Sequence, residues 1–183
     1  MISYQEVHAD NTPQKSWDIE IQRISEVDSL LSKAIYINTW VNDRVDYKAD
    51  SGDYWQTPEE TRRHGRGDCE DYALMKLEAL LDSGVPPEYL QIGILERKGQ
   101  KGLHAVLLVA WHGDILVLDE PAIPAMYLSD YSDITDYHLL GTTGLNGWSY
   151  SLPEYKYLIP IFDIKLMHEH ERHLQSLTNT RGE

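Results

Sequence analysis

The chain reads as an α+β domain with N-terminal helices packed on an antiparallel sheet, and three stretches carry that reading. Ile19, Ile24, Val27, Leu30, Leu31, Ala34, Ile35 and Val41 recur at helical spacing and predict a helical region broken once. Gly65-Arg66-Gly67-Asp68 forms a tight turn into a helix that starts at Cys69. Ala73, Leu74, Leu77, Leu80 and Leu81 give that helix its buried face, and Gly84-Val85-Pro86-Pro87 ends it. Gly102–Trp111 and Ile115–Asp119 are apolar runs separated by His112-Gly113-Asp114, the pattern of a buried hairpin.

The other elements fall between these. Asp46 to Asp53 is an acidic loop, and Thr57-Pro58-Glu59-Glu60 opens a helix with proline at its first position. Leu90–Leu95 predicts a strand. Tyr127 to Tyr137 reads as a tyrosine-rich connection and Gly141–Gly147 as a loop leading into a strand region at Trp148-Ser149-Tyr150. A closing strand follows at Tyr157–Ile161. Residues 1–162 form one domain and 163–183 a polar, helical tail.

Composition narrows the function classes. A length of 183 residues, 42% of them hydrophobic and 25% charged, suffices for a full core without disulfide staples. No apolar run is long enough to span a membrane. The balance of 16 basic against 30 acidic residues, a formal charge of −14, argues against a nucleic-acid partner and suits a cation-binding protein.

Cys69 is the lone cysteine, and its placement is that of a nucleophile. The unpaired N–H groups of a helix N-terminus favour the thiolate. A solitary cysteine is more often a small buried hydrophobe, but Gly67, Asp68, Glu70 and Asp71 are small or acidic, a poor setting for an apolar position. Asp68 can cap the helix, with Asp71 three positions on. These same carboxylates oppose thiolate formation, so a positive charge must offset them.

A nucleophilic cysteine needs a base, and the base needs an orienting partner. If His112-Gly113 is a two-residue turn, Trp111 pairs with Asp114 and Asp119 falls opposite Val106. His104 is then a diagonal neighbour of Asp119 on the same face. A turn at Gly113-Asp114 keeps the face but widens the gap and requires a bulge. His168, His170 and His173 lie in a charged, solvated stretch, His64 sits at the rim of the turn, and His8 and His138 have no chemical neighbours.

Asp53–Glu60, Gly65–Ala73, His104–Leu107 and Leu116–Asp119, in this order and spacing, resemble the bacterial transglutaminase-like cysteine proteinases over residues 15 to 160. The best-known members are LapG-type periplasmic proteases that release adhesins. The resemblance implies a papain-like, transglutaminase-like cysteine protease fold and a Cys-His-Asp triad at Cys69, His104 and Asp119. It implies a calcium site beside the nucleophile, formed partly by Asp68 and Glu70. Because calcium takes about six to eight oxygens, Asp50 and Asp53 are further donor candidates, and Asp46 a weaker one. The acidic loop also reads as a plain turn. Trp55 lines the substrate groove or belongs to the core, and an oxyanion hole is expected from the Cys69 N–H and a donor near Trp55 or Gln56.

The expected activity is cysteine endopeptidase cleavage through a thioester, dependent on calcium, on a protein or peptide substrate. The alternatives are acyl transfer to an amine, hydrolysis of cell-wall peptide amides, and a non-catalytic calcium-dependent binding module. A regulatory protein that occludes the cysteine is a further partner the family offers. The first thirty residues hold no apolar leader, so the expectation is a cytoplasmic bacterial or phage protein, or a periplasmic one if a leader was removed.

Overall fold

A computed structural model describes residues 13–50, 54–97, 99, 101–144 and 147–150. The expected closing strand at Tyr157–Ile161, the tail from 163 and the candidate ligand Asp53 lie outside these residues.

The elements are α1 (Pro13–Ser25), α2 (Leu30–Asn42), β1 (Asp46–Tyr47), α3 (Pro58–His64), β2 (Arg66–Gly67) and α4 (Cys69–Asp82). A short 3-10 turn leads to β3 (Leu90–Arg97), β4 (Leu103–Trp111), β5 (Asp114–Leu118), β6 (Met126–Tyr127), α5 (Leu128–Thr135), β7 (Tyr137–Gly144) and β8 (Gly147–Tyr150). The helical region is broken once, as its periodicity predicts, and Ser29 caps α2 by accepting from the Ser32 N–H at 3.3 Å.

Six strands form a sheet in the order β6-β5-β4-β3-β7-β8, every neighbour antiparallel. β4 lies inside it and is buried continuously from His104 to Val109. Ala105, Leu107 and Val109 face the main core, which α2 and α4 complete with Ile37, Val41, Ala73, Leu77 and Leu80. Val106 and Leu108 face a second cluster with Leu95, Val117 and Tyr131.

That second cluster corrects one expectation. The Tyr127 to Tyr137 segment is not a bare connection: α5 occupies most of it and buries Tyr131 and Thr135 behind the sheet. Helical elements therefore cover both faces. The expected loop at Gly141–Gly147 is likewise taken up mostly by β7, which runs to Gly144, paired with β8.

The hairpin has the register of the two-residue turn. Trp111 pairs with Asp114 and Leu107 with Leu118. His112 and Gly113 have φ of 49° and 87°, the positive pair of a type I′ turn.

A second, two-stranded pairing matters for the site. Asp46 pairs with Arg66 and Tyr47 with Gly67, in parallel. The Asp46 N–H donates to the Gly65 carbonyl at 2.9 Å and the Lys48 N–H to that of Gly67 at 2.8 Å. The acidic loop is thereby fastened to the turn that precedes the cysteine.

Candidate active site

Cys69 is the first residue of α4, and Asp68 stands at its N-cap position without a side-chain cap hydrogen bond. Asp71 takes over part of that work, with Oδ2 accepting from the Asp68 N–H at 3.2 Å. Gln56 secures Asp71 in turn: its N–H donates to Oδ1 at 2.8 Å and its Nε2 to Oδ2 at 2.6 Å. The remaining Gln56 amide hydrogen goes to the Arg66 carbonyl at 3.2 Å, and Oε1 pairs with His64 Nδ1 at 2.6 Å. The Gln56 side chain is thus spent on bracing the turn and has no hydrogen left for an oxyanion.

Gly67 is required by this packing. A Cβ built there would lie 2.5 Å from Asp71 Cβ and 2.5 Å from its Oδ2. Gly67→Ala is therefore expected to destabilise the fold by about 1–3 kcal/mol, the usual range for overpacking, read as a lowered urea midpoint.

His104 and Asp119 meet as the hairpin register requires. His104 Nε2 lies 2.8 Å from Asp119 Oδ1, with the two residues 8% and 2% exposed. Asp119 also accepts at Oδ2 from the Tyr131 hydroxyl at 2.7 Å, and at Oδ1 from the Glu120 N–H at 2.7 Å. Burial alone would raise its pKa, but the hydrogen bonds from His104 and Tyr131 outweigh it and hold the carboxyl below the usual aspartate range. Tyr137 stacks on the His104 ring with centroids 4.8 Å apart and planes at 23°. With Nε2 donating to Asp119, the lone pair of the neutral ring sits on Nδ1.

Cys69 reaches the same end of the hairpin from the other face of the sheet. β5 stops pairing with β4 beyond Leu107 and Leu118, so β4 is open on that side at Ala105. There the Ala105 N–H, next in chain to His104, hydrogen-bonds the Cys69 thiol. The thiol's own hydrogen points at Glu70 Oε2, 3.1 Å away. Burial first, and then the Glu70 charge, push the thiol far up, while the Ala105 N–H pulls the other way. Cys69 is therefore a neutral thiol bonded to the Glu70 carboxyl group, not an imidazole-paired thiolate.

The acidic cluster is strained electrostatically. Burial raises Glu70 to about 8 and Asp71 to about 6, and the Asp68 charge adds to both. Asp68 Oδ2 accepts from the Asp50 N–H at 3.1 Å, but its Oδ1 is buried with no hydrogen-bond partner. An orphaned carboxylate oxygen beside a second buried carboxylate is what a hard cation satisfies, so Asp68 and Glu70 fit a calcium ion. Asp50 adjoins them through its backbone, and its Oδ2 accepts from the Tyr54 N–H at 2.9 Å. Among the described residues no three His, Cys, Asp or Glu side chains converge as a ready cage. Asp46 is exposed in β1.

Trp55 is half-buried and packs against the main core, as Cys69 also does. Glu120, Tyr131, Tyr137, Asn42 and Lys76 take part in the site although sequence reasoning passes over them, and Gln56, expected near the oxyanion, braces the turn instead. The one local signal is Lys76, a charge on the otherwise apolar face of the cysteine helix.

Solved structures of Legionella pneumophila LapG share this architecture. A calcium-bound form superposes with a TM-score of 0.71 and 20% identity over 87% of this chain and 89% of that one. A second LapG structure gives 0.67 and 23% over 79% and 81%. At these identities the likeness establishes the fold. Curated relatives include a UPF0252 protein of Pyrococcus horikoshii, 36% identical over 74 residues, which are 40% of this chain and 22% of that protein. One from Pyrococcus furiosus is 34% identical over 83 residues, 45% of this chain and 24% of its own length. The matched region is thus under a quarter of either relative. The family profile of bacterial transglutaminase-like cysteine proteinases matches residues 5–140, most of the length, and the chain belongs to that family.

Proposed function

We propose that this protein is a calcium-dependent cysteine endopeptidase acting through Cys69, His104 and Asp119. The observation that carries the reading is the buried His104–Asp119 pair at the open edge of β4, where the N–H of the next residue meets the thiol at the start of α4.

His104 Nδ1 takes the proton of the Cys69 thiol, and the sulfur attacks the carbonyl carbon of a peptide bond. Asp119 holds the ring by Nε2 and stabilises the imidazolium. The Cys69 N–H, at the first helical position and without an intrahelical partner, donates to the developing oxyanion. His104 then protonates the leaving amine, the acyl group remains as a thioester on Sγ, and water deprotonated by His104 releases the acid and restores the thiol. Trp55, packed on the same core as the nucleophile, is the groove residue the reading assigns. A calcium ion on Asp68 and Glu70 would supply the positive charge that this buried thiol lacks. For the chain's own residues the task is then a swing of the Sγ hydrogen from Glu70 to His104.

Native protein is to be treated with iodoacetamide in calcium and in chelator, then assayed on a peptide library. The expected result is rapid alkylation of Cys69 in calcium, slow alkylation in chelator, and calcium-dependent cleavage. Alkylation only after denaturation would overturn the reading. Alkylation with incorporation of an added amine, and no hydrolysis, would replace it with acyl transfer.

A further inference from the structure

Lys76 is fully buried, at 0% exposure, on the helix that presents Cys69. It follows Cys69 by seven residues, two helical turns, which places it on the same face about 10 Å further along the axis. Its Nζ donates to the main-chain carbonyl of Asp119, and lies 5.5 Å from the centroid of the Tyr72 ring. Asn42 Nδ2, from α2, donates to the same carbonyl at 3.1 Å. Lys76 therefore ties the nucleophile's helix to the residue that orients His104.

The ammonium is an expensive way to satisfy one carbonyl, which Asn42 already does. Desolvation draws Lys76 down to about 7, opposed by the charges of Asp119 and Glu120. An apolar side chain of similar volume would pack there without that penalty. A costly buried charge bonded to the residue that orients His104 points to a role in the site.

We propose that Lys76 is a positioning residue that fixes the Cys69 thiol relative to the His104–Asp119 pair by anchoring α4 to the end of β5. The proposal rests on the triad assignment above. Asp119 is held at three points, by Lys76 and Asn42 on its backbone, by Tyr131 on Oδ2 and by the Glu120 N–H on Oδ1. The Lys76 link alone comes from the element carrying the nucleophile.

The test is Lys76→Met in the full chain, with four readouts: melting temperature, kcat and KM on a cleaved peptide, Cys69 alkylation rate, and the ring-nitrogen signals of His104 in histidine-labelled protein. The expected result is a retained melting temperature, kcat lower by about 10²-fold, the cost of roughly 1 Å of misplacement, unchanged KM, and a His104 signal shifted from the Nε2–H form towards a tautomer mixture. Parent-like kcat and an unmoved His104 signal would overturn the proposal. A parent that neither alkylates nor cleaves would fail the triad reading instead, and the His104 signal, which needs no activity, still decides whether Lys76 orients the pair. If Lys76→Met does not fold, Lys76→Gln, whose amide nitrogen falls one bond short of the Nζ position that reaches the Asp119 carbonyl, must show a kcat loss and a His104 shift for the proposal to stand.

Discussion

Cys69→Ser is expected to reduce peptide cleavage by about 10⁴-fold or more with no change in fold, and His104→Ala to do nearly the same. A serine hydroxyl is far less acidic than a thiol, and this site already disfavours the anion through burial and Glu70. The imidazole is the base that the mechanism requires, so a serine there has even less prospect of ionising. The double variant should be no slower than either single one, because sulfur and ring act as one unit. Rates on a fluorogenic peptide, with circular dichroism as the control for folding, check this. Independent, multiplying losses would mean that the two side chains do not share a step.

The second large effect concerns calcium and pH. In metal-free protein the folded Glu70 holds its proton up to about 8, whereas the unfolded chain releases it near the ordinary value of 4.5. The folded state then binds more protons across that interval, so stability falls as pH rises through it. Asp71 adds to the same trend at lower pH, between 3.8 and about 6. On the proposed reading, calcium is expected to reverse the trend by binding the ionised carboxylates. At a hundredfold excess over Kd it stabilises by about 2.7 kcal/mol, a Tm rise of about 5–10 °C for a chain of this size.

Glu70→Gln should therefore flatten the pH dependence of the metal-free protein and abolish the calcium shift. Asp68→Asn should abolish the shift as well, since it replaces the carboxylate whose Oδ1 is orphaned. Scanning calorimetry at pH 5 and pH 8, with calcium and with chelator, reads all of these. A parent whose melting temperature is the same in calcium and chelator at pH 8 would remove Asp68 and Glu70 as ligands.

Much of this site is legible in the order of residues along the chain. The hairpin is the clearest case: counting back from a two-residue turn at His112-Gly113 places Asp119 opposite Val106 with His104 on its diagonal, and the side chains meet at 2.8 Å. Strand alternation and turn length are local rules, so a register can be counted from them. The start of α4 at Cys69 is legible for the same reason, through its glycines and flanking acids. The helix α5 is not. Its sequence, Leu128 to Thr135, is short and rich in serine and aspartate, and only burial of Tyr131 against the sheet makes it an element of the core. The cap expected at Asp68 is partly met: Asp68 holds the N-cap position and Asp71 answers its N–H, while the Asp68 carboxylate also accepts from the Asp50 N–H of the acidic loop.

The sequence alone determined where the helix bearing Cys69 begins and that His104 and Asp119 share one face of the hairpin, because helix starts, periodicity and hairpin register are set by neighbours in the chain. The tertiary structure decided how those residues are held and in what state. The thiol bonds to Glu70 where the two side chains meet at the start of α4, the Asp119 carbonyl draws Lys76 across 43 positions and Asn42 across 77, and Gln56 spends its amide on Asp71. Desolvation and long-range hydrogen bonding exist only once distant segments have packed together, and no pattern of neighbours encodes them.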